Sequence, residues 1–221
     1  MTEKLKYAII GAGCMGQEHI LNIEIIDDAE VVALCDTSEK SIKESLDLLN
    51  NDVAIFDNYI DLVEANIADA FIIATPNFTH IEVLKEVMKS EAHLLIEKPL
   101  CTTVKDCQEF EKLAVDYPGV IWTAMEYRYM PPVQRMIKEI HNKTIGDLKM
   151  LSIREHRFPF LHKVDDWNRF AIKTGGTLVE KCCHFFDLMR LIAQSEPLKV
   201  YASGGQDVNH LEETYDGETP D

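Results

Sequence analysis

Short apolar runs rich in Val, Ile and Leu alternate with longer amphipathic segments through the first part of the chain. In order, the runs are LKYAIIG, EVVALCD, VAIF, DAFIIAT, AHLLIEK and VIWTA. Because they are apolar along most of their length, they predict parallel strands that are buried on both faces. Strands that alternate with helices favour right-handed crossovers, with helices on both sides of one sheet. Residues 1–125 are therefore predicted to form a doubly wound α/β domain.

The pattern changes near residue 126. Segments 131–141 and 175–193 predict helices, and in the second segment a glycine pair precedes the helix. Segments 146–157 and 197–205 predict long strands of mixed polarity, which is typical of an antiparallel, partly exposed sheet. We expect residues 126–221 to be the start of an α+β domain with an open, mainly antiparallel sheet. Two long strands make a poor free-standing sheet, so this domain is expected to be incomplete.

Charge and composition exclude several classes of partner. The formal net charge of −16 argues against nucleic acid or an anionic membrane, because both repel an acidic surface. No uncharged run approaches the roughly 20 residues that span a bilayer. The N-terminus, MTEKLKYAII, has too short an apolar run for a secretory signal, so a cytoplasmic location is expected.

The six cysteines are scattered without a Cys-x-x-Cys pair, which favours reduced thiols. The adjacent Cys182, Cys183 and His184 resemble a metal site at first. Neighbours on a helix point about 100° apart, however, and no second ligand pair occurs elsewhere in the sequence. No metal is therefore predicted.

A glycine pattern, Gly11-x-Gly13-x-x-Gly16, follows the first predicted strand and opens an amphipathic helix. That context is the one a dinucleotide fingerprint requires. The first glycine makes the tight turn, the second lets the backbone approach a pyrophosphate, and the third lets helix and strand pack closely. Cys14 and Met15 lie in the same turn, beside the N–H groups of the helix N-terminus, which favour phosphate.

Asp36 ends the second predicted strand, 20 residues after Gly16. A carboxylate there can accept both hydroxyls of a ribose, and it repels a 2′-phosphate. No Arg follows it in CDTSEK, so NAD is favoured over NADP. The alternative is a purely structural turn with a surface aspartate.

Several later motifs make the chain resemble the glucose–fructose oxidoreductase, inositol dehydrogenase and MocA family. They are IIATPNFTH at the fourth strand, IEKPL at the fifth, EYRYMPP at 126–132, Asp166-Trp167, and GGTLVEKCCHFFDLM. The Glu97-Lys98-Pro99 tripeptide is the most specific of them. The resemblance covers residues 5 to about 205 and implies a Rossmann domain followed by a substrate-binding domain.

The resemblance implies roles for residues at the carboxyl ends of the strands, where open α/β sheets bind ligands. Lys98 is expected beside the nicotinamide ribose and the substrate hydroxyl, where an ammonium would stabilise an alkoxide. A surface lysine at a strand end is the alternative. Relatives favour a cis Lys98–Pro99 bond more than the base rate of about 5% does, and both isomers stay open. The expected cofactor contacts, besides the glycine turn and Asp36, are Thr75, Pro76, Asn77, His80, Glu97 and Lys98.

A second group comprises Glu180, His184 and Asp187, whose spacing puts them on one face of a predicted helix. His184 matches the histidine that the family uses as a general base, and its ordinary pKa suits that chemistry. A buried core histidine is the alternative. The resemblance places Glu180 beside the base as a third catalytic residue, and Asp187, Arg128 and Trp167 near the substrate, although Arg128 and Trp167 could instead serve packing.

Two positions depart from the family pattern, with Glu180 where Asp is usual and Cys182 where Gly is usual. Glutamate reaches one methylene further, and cysteine fills space that glycine leaves open. Hydride chemistry stays the prediction, but the usual sugar or inositol substrate is put in doubt. Binding of a metal by Glu, His and Asp is a further alternative, which the family does not favour.

The sequence as a whole therefore predicts an NAD-dependent oxidoreductase that acts on a secondary alcohol of a sugar, polyol or diol. Family members are longer, so we expect a truncated chain that would form a homodimer or homotetramer at full length. One alternative is an NAD-binding sensor or regulator with impaired catalysis. Another is an NAD-using lyase or glycosidase of the same family.

Overall fold

A computed structural model describes residues 4–156, 163–205, 211–214 and 217. The chain divides into two compact units, Met1–Ala124 (unit 1) and Met125–Asp221 (unit 2). Across the described ranges, every helix is too short or too polar to cross a bilayer.

Unit 1 contains one parallel sheet of six strands, in the order β3-β2-β1-β4-β5-β6. β1 pairs with both β2 and β4, so the chain builds the sheet outward in one direction and then in the other. This order confirms the doubly wound sheet that the apolar runs predicted. The strands are β1 (Leu5–Ile10), β2 (Ala29–Cys35), β3 (Ala54–Phe56), β4 (Ala70–Ile73), β5 (His93–Ile96) and β6 (Ile121–Thr123).

Five helices connect these strands: α1 (Cys14–Glu24), α2 (Glu39–Leu46), α3 (Tyr59–Ala65), α4 (His80–Val87) and α5 (Val104–Ala114). Three of them begin at polar residues whose side chains accept a hydrogen bond from the first turn. These N-cap residues are Ser38 of α2, Asn58 of α3 and Thr103 of α5. Each such cap typically stabilises its helix by about 1 kcal/mol.

The sheet is buried on both faces, as its apolar strands require. Along β1, Ala8 and Ile10 point into one core, which α3, α4 and α5 cover, whereas Ile9 points into the other, which α1 and α2 cover. Phe71 and Ile72 of β4 divide between the two cores in the same way. Each of these large buried side chains contributes about 1.5–3 kcal/mol of transfer free energy.

Unit 2 begins with a 3₁₀ turn, Glu126–Tyr129, and continues with helix α6 (Pro131–His141). A second 3₁₀ segment, Val164–Arg169, leads into the short helices α7 (Ala171–Thr174) and α8 (Thr177–Glu180) and the longer α9 (Cys183–Ala193). The His141 imidazole lies within 3.1 Å of the Leu191 carbonyl oxygen and ties α6 to α9.

The prediction of one helix over 175–193 is wrong, because the helix breaks between α8 and α9. The amides of Lys181 and Cys182 both donate to the Thr177 carbonyl, at 3.0 and 3.1 Å. The helical hydrogen-bond pattern is thereby shifted by one residue. It begins again at the Cys182 carbonyl, which accepts from the amides of Phe185 and Phe186. Glu180 therefore ends α8, whereas His184 and Asp187 belong to α9.

The two long strands expected in unit 2 are a second difference. In the described parts of these segments, 146–156 and 197–205, the backbone forms neither strand nor helix. Residue 157 lies outside the described residues. Strands are stabilised by cross-strand hydrogen bonds and side-chain pairs, and neither segment has a paired neighbour among the described residues. Leu198 and Tyr201 are accordingly 99% and 89% exposed.

All six cysteines are free thiols. Burial, reinforced by the charges of Asp36, Asp57 and Asp61, raises the pKa of Cys35 to about 12. Burial and the neighbouring Cys107 raise the pKa of Cys101 to about 12 as well. These two thiols are therefore core side chains rather than nucleophiles.

Candidate functional site

Three glycines form the turn between β1 and α1, and each meets a different environment. A Cβ atom at Gly11, where φ is +96°, would lie 2.6 Å from the carbonyl carbon of Ala74. A Cβ at Gly16 would lie 2.1 Å from the carbonyl oxygen of Gly11, but one at Gly13 would meet nothing within 4 Å. Packing therefore requires the two outer glycines, whereas Gly13 borders open space.

The first turn of α1 lies directly after Gly13. The helix has 11 residues, and its N-cap residue, Gly13, has no side chain that could accept from the N–H groups of the first turn. Cys14 is exposed, and Met15 is 37% exposed. The N–H groups of such a turn and the positive end of the helix dipole attract phosphate. The turn thus has the local features of a pyrophosphate site.

Asp36 is held in a fixed orientation at the end of β2. Its Oδ2 accepts from the N–H of Ala12 at 2.7 Å, and its Oδ1 accepts from the N–H of Ser38 at 2.8 Å. The Ser45 hydroxyl of α2 donates to the Ala12 carbonyl at 2.9 Å, so α2 also supports the glycine turn. A partly buried carboxylate with two backbone donors keeps its direction without a ligand.

β4 is followed by Thr75 and Pro76 and then by a 3₁₀ turn, Asn77–Thr79, so three of the predicted cofactor contacts lie in or directly before this turn. The Thr79 hydroxyl lies 2.8 Å from the Thr75 hydroxyl and 2.7 Å from the Pro76 carbonyl oxygen. Asn77 is 6% exposed, and its Nδ2 has no hydrogen-bond partner among the described residues. A buried amide group without a protein acceptor is suited to donate a hydrogen bond to a ligand oxygen.

His80, another predicted cofactor contact, is fully buried. Its Nδ1 lies 2.9 Å from the Pro99 carbonyl oxygen and its Nε2 lies 3.0 Å from the Thr75 carbonyl oxygen. Burial lowers the pKa of His80, although hydrogen bonds to the Thr75, Pro99 and Leu100 carbonyls oppose that effect. The imidazole thus joins the segments after β4 and β5, and its direct contact with a cofactor stays a prediction.

Glu97 and Lys98 follow β5, and the Lys98–Pro99 bond is cis. Glu97 is 6% exposed, and its Oε1 lies 2.8 Å from Nε2 of His19 on α1. Burial raises the pKa of Glu97, but the hydrogen bond from His19 and the charges of His19 and Lys98 outweigh it, so the pKa is lower than usual. Glu97 is therefore a buried, ionised partner of α1.

In unit 2, His184 is 3% exposed and is fixed by the 3₁₀ turn that opens the unit. Its Nε2 lies 3.4 Å from Oε1 of Glu126. The Tyr127 ring stacks on the imidazole with a centroid distance of 4.1 Å and an interplanar angle of 7°. The Glu126 carboxylate and the Tyr127 ring together hold the imidazole in one orientation.

The remaining predicted residues of unit 2 have defined contacts. Both oxygens of Asp187 bind the Arg128 guanidinium, in a bidentate pair that joins α9 to the opening 3₁₀ turn. Trp167 lies under Lys163, whose Nζ is 4.8 Å from the ring centroid. Glu180 is 2% exposed, and its Oε1 lies 3.0 Å from Nζ of Lys181. Arg128, Trp167 and Asp187 thus have contacts within the protein, and their contact with substrate stays a prediction.

Sequence reasoning missed several residues that shape these sites, namely His19, Ser45, Glu126 and Tyr127. Two signals were present. His19 follows Gly16 by three residues, one helical turn, and Glu126 and Tyr127 belong to the EYRYMPP motif, directly before Arg128. Among the described residues, no group of three His, Cys, Asp or Glu side chains is arranged to hold a metal ion.

Comparison with known proteins gives matches in both units. Residues 5–125 match the family model described as "Oxidoreductase family, NAD-binding Rossmann fold". Residues 137–218 match the companion model, "Oxidoreductase family, C-terminal alpha/beta domain".

Individual relatives match most of this chain but are longer. An uncharacterized oxidoreductase of Bacillus subtilis, YrbE, is 28% identical over 209 residues, which are 95% of this chain and 60% of that protein. The myo-inositol 2-dehydrogenase of Thermotoga maritima is 26% identical over 90% of this chain and 58% of its own length. The chain thus spans less than two thirds of each of these relatives.

A solved structure supports the fold. The WlbA dehydrogenase of Bordetella pertussis, in complex with NADH and UDP-GlcNAcA, superposes with a TM-score of 0.73 at 22% identity. The superposition covers 87% of this chain and 56% of WlbA. With the six-stranded sheet and the two family models, these matches show that the chain belongs to the Gfo/Idh/MocA family of oxidoreductases.

Proposed function

We propose that this chain binds NAD(H) at the carboxyl edge of the unit 1 sheet and belongs to an oxidoreductase that oxidises a secondary alcohol of a sugar, polyol or diol. The observation that carries the proposal is the open space at Gly13, between two glycines that packing requires. A turn that served only the fold would have no need of a third glycine there. The family membership and the inositol dehydrogenase relative support the same activity.

NAD rather than NADP is the proposed cofactor. The two oxygens of Asp36 are fixed by the amides of Ala12 and Ser38, so the carboxylate cannot easily turn away from a 2′-phosphate. Glu39 and Lys40 follow Ser38, and no Arg is near in sequence to neutralise such a phosphate. Asp36 is thus suited to the two hydroxyls of an unmodified ribose.

The proposed mechanism assigns one role to each polar group. The bound nicotinamide supplies the hydride acceptor. The Lys98 ammonium stabilises negative charge on the substrate oxygen, and the His184 imidazole accepts the hydroxyl proton. The Glu126 carboxylate, 3.4 Å from Nε2, then stabilises the imidazolium. Glu180 orients the substrate or the base.

The test combines an NADH binding measurement with an assay at 340 nm over a panel of inositols, sugars and diols. Lys98→Met and His184→Asn should each lower turnover by about 10²–10⁴, with NADH affinity nearly unchanged. Lys105→Met, on the exposed side of α5, is the matched control and should behave as the parent protein. Unchanged turnover in Lys98→Met would refute its role.

The departures at Glu180 and Cys182 and the break between α8 and α9 favour a second candidate, an NAD-binding regulator without turnover. It predicts thermal stabilisation by NAD and no NADH production with any panel member. A redox-neutral lyase or glycosidase would instead consume substrate without net change at 340 nm. Product analysis by mass spectrometry separates these two outcomes from the dehydrogenase.

A further inference from the structure

Glu97 makes two contacts that point in different directions. Its Oε1 lies 2.8 Å from Nε2 of His19 on α1, and its Oε2 accepts from the backbone N–H of Lys98 at 3.2 Å. The carboxylate thus lies between a helix that begins at the glycine turn and the backbone that bears the proposed catalytic ammonium. His19 and Glu97 are 78 positions apart in sequence, so the bridge that they form is a feature of the tertiary structure.

The bridge between His19 and Glu97 is mostly shielded from solvent. The side chain of His19 is 17% exposed and that of Glu97 is 8% exposed. His19 lies one turn after Gly16, which packing fixes against the Gly11 carbonyl. The ring therefore extends from the first part of α1, next to the packed Gly16, toward the residue that follows β5.

We propose that His19 is a positioning residue, which acts through Glu97 to hold the Lys98 backbone in place relative to the glycine turn. The catalytic part of this role rests on the function proposed above for Lys98. The structural part does not, because it concerns a hydrogen-bonded bridge that exists whether or not the protein turns over.

Charges around Glu97 make the bridge measurable. The groups that face its carboxylate are His19 of α1, His80 of α4 and the adjacent Lys98. Burial alone would raise the pKa of Glu97, and His19 is the largest of the opposing effects. Loss of the imidazole should therefore move the pKa of Glu97 upward, because the desolvation remains.

The experiment compares His19→Leu with His19→Gln, whose Nε2 can donate in the place of the imidazole Nε2. Carboxyl carbon NMR follows the titration of Glu97, and the Lys98 amide resonance follows the bridge. In the parent protein both signals should titrate together. In His19→Leu the Glu97 midpoint should rise, the Lys98 amide should shift, and turnover should fall about tenfold or more, with NADH affinity within about threefold. His19→Gln should restore the amide position and most of the turnover.

His141→Leu is the matched control, because it removes a histidine–carbonyl contact in unit 2 and should leave both NMR signals unchanged. A Glu97 midpoint that is the same in His19→Leu and the parent would overturn the proposal. Equal losses in the Leu and Gln variants would overturn it as well. A parent protein without turnover would refute the proposed function alone, since the two NMR signals still report the bridge. If His19→Leu does not fold, the parent titration and His19→Gln decide the question.

Discussion

Oε1 of Glu126 lies 3.4 Å from Nε2 of His184, and the two residues come from different elements of unit 2. The carboxylate is on the 3₁₀ turn that opens the unit, whereas the imidazole is in the first turn of α9. Tyr127, the next residue on the turn, stacks on the same ring and limits its rotation. The proposed base is thus oriented by a segment about 60 residues earlier in the chain.

Replacement of Glu126 by Gln should lower turnover by about 10², because the amide cannot stabilise the imidazolium that forms when His184 takes a proton. The KM for substrate should change little, since the shape of the side chain is kept. Steady-state kinetics at 340 nm checks both quantities. Glu111→Gln, an exposed glutamate of α5, is the control. A change in KM with constant turnover would contradict the assigned role.

A matched pair of glycine variants separates cofactor binding from folding. Gly13→Ala should leave the melting temperature nearly unchanged, because its φ of −76° suits any residue and the new Cβ meets open space. NADH affinity should fall about tenfold or more, since the methyl group would keep the pyrophosphate from the backbone.

Gly16→Ala should have the opposite effect on folding, because its Cβ would lie 2.1 Å from the Gly11 carbonyl oxygen. Overpacking of this kind costs about 1–3 kcal/mol, which lowers the melting temperature by several degrees. Thermal denaturation and NADH fluorescence titration of both variants give the result. Equal melting temperatures for the two variants would contradict the assignment of Gly16 to packing.

The choice of cofactor should depend on the charge of Asp36. The parent protein should bind NADH more tightly than NADPH, and Asp36→Asn should reduce that preference about tenfold or more. Removal of a unit charge close to a phosphate is worth about 1–4 kcal/mol at 4 Å in a partly solvated site. Competition binding with the two cofactors measures the ratio. The exposed Asp52→Asn is the control and should keep the parent preference.

Stability of unit 1 should fall on acidification because of His80. Burial lowers the pKa of this histidine in the folded state. Below about pH 6.5, His80 therefore becomes protonated in the unfolded chain while it stays neutral in the folded chain. The free energy of unfolding should therefore decrease as the pH falls from about 6.5 through the folded-state pKa, by up to about 1.4 kcal/mol per pH unit. His80→Leu should be less stable at neutral pH, since a buried carbonyl loses the N–H donor of the neutral imidazole, but its pH dependence should be weaker.

Urea denaturation in a Trp167→Phe background checks this, because Trp122 of β6 is then the only tryptophan and reports on unit 1. His141→Leu, in unit 2, should leave the Trp122 transition and its pH dependence as in the background protein. If the free energy of unfolding of His80→Leu decreased on acidification as much as that of the background protein, a group other than His80 would be responsible for the pH dependence.

Local patterns predicted much of unit 1, whereas tertiary contacts decided the rest. The strands and the glycine turn were predictable because apolar runs and glycine spacing are written in neighbouring residues. The pairs His19–Glu97 and Glu126–His184 join distant segments, and although motifs next to His19 and Glu126 mark these positions, no local pattern specifies which residue each of them contacts. The break after Glu180 was missed because the hydrophobic period of 175–193 continues through it, although the Lys181 and Cys182 amides compete for one carbonyl. The segments 146–156 and 197–205 have strand-like sequences, but in the part of the chain that the structure describes neither pairs with a neighbouring strand.

The unequal surroundings of the three glycines have a consequence for how such chains diverge. A descendant that no longer used a nucleotide would still have to retain positions 11 and 16, since its sheet and first helix could not meet otherwise. Packing places no such requirement on position 13, so a residue with a side chain could replace the glycine there. Drift at that single position, with its two neighbours intact, would mark a member of the lineage that has kept the architecture and abandoned the coenzyme.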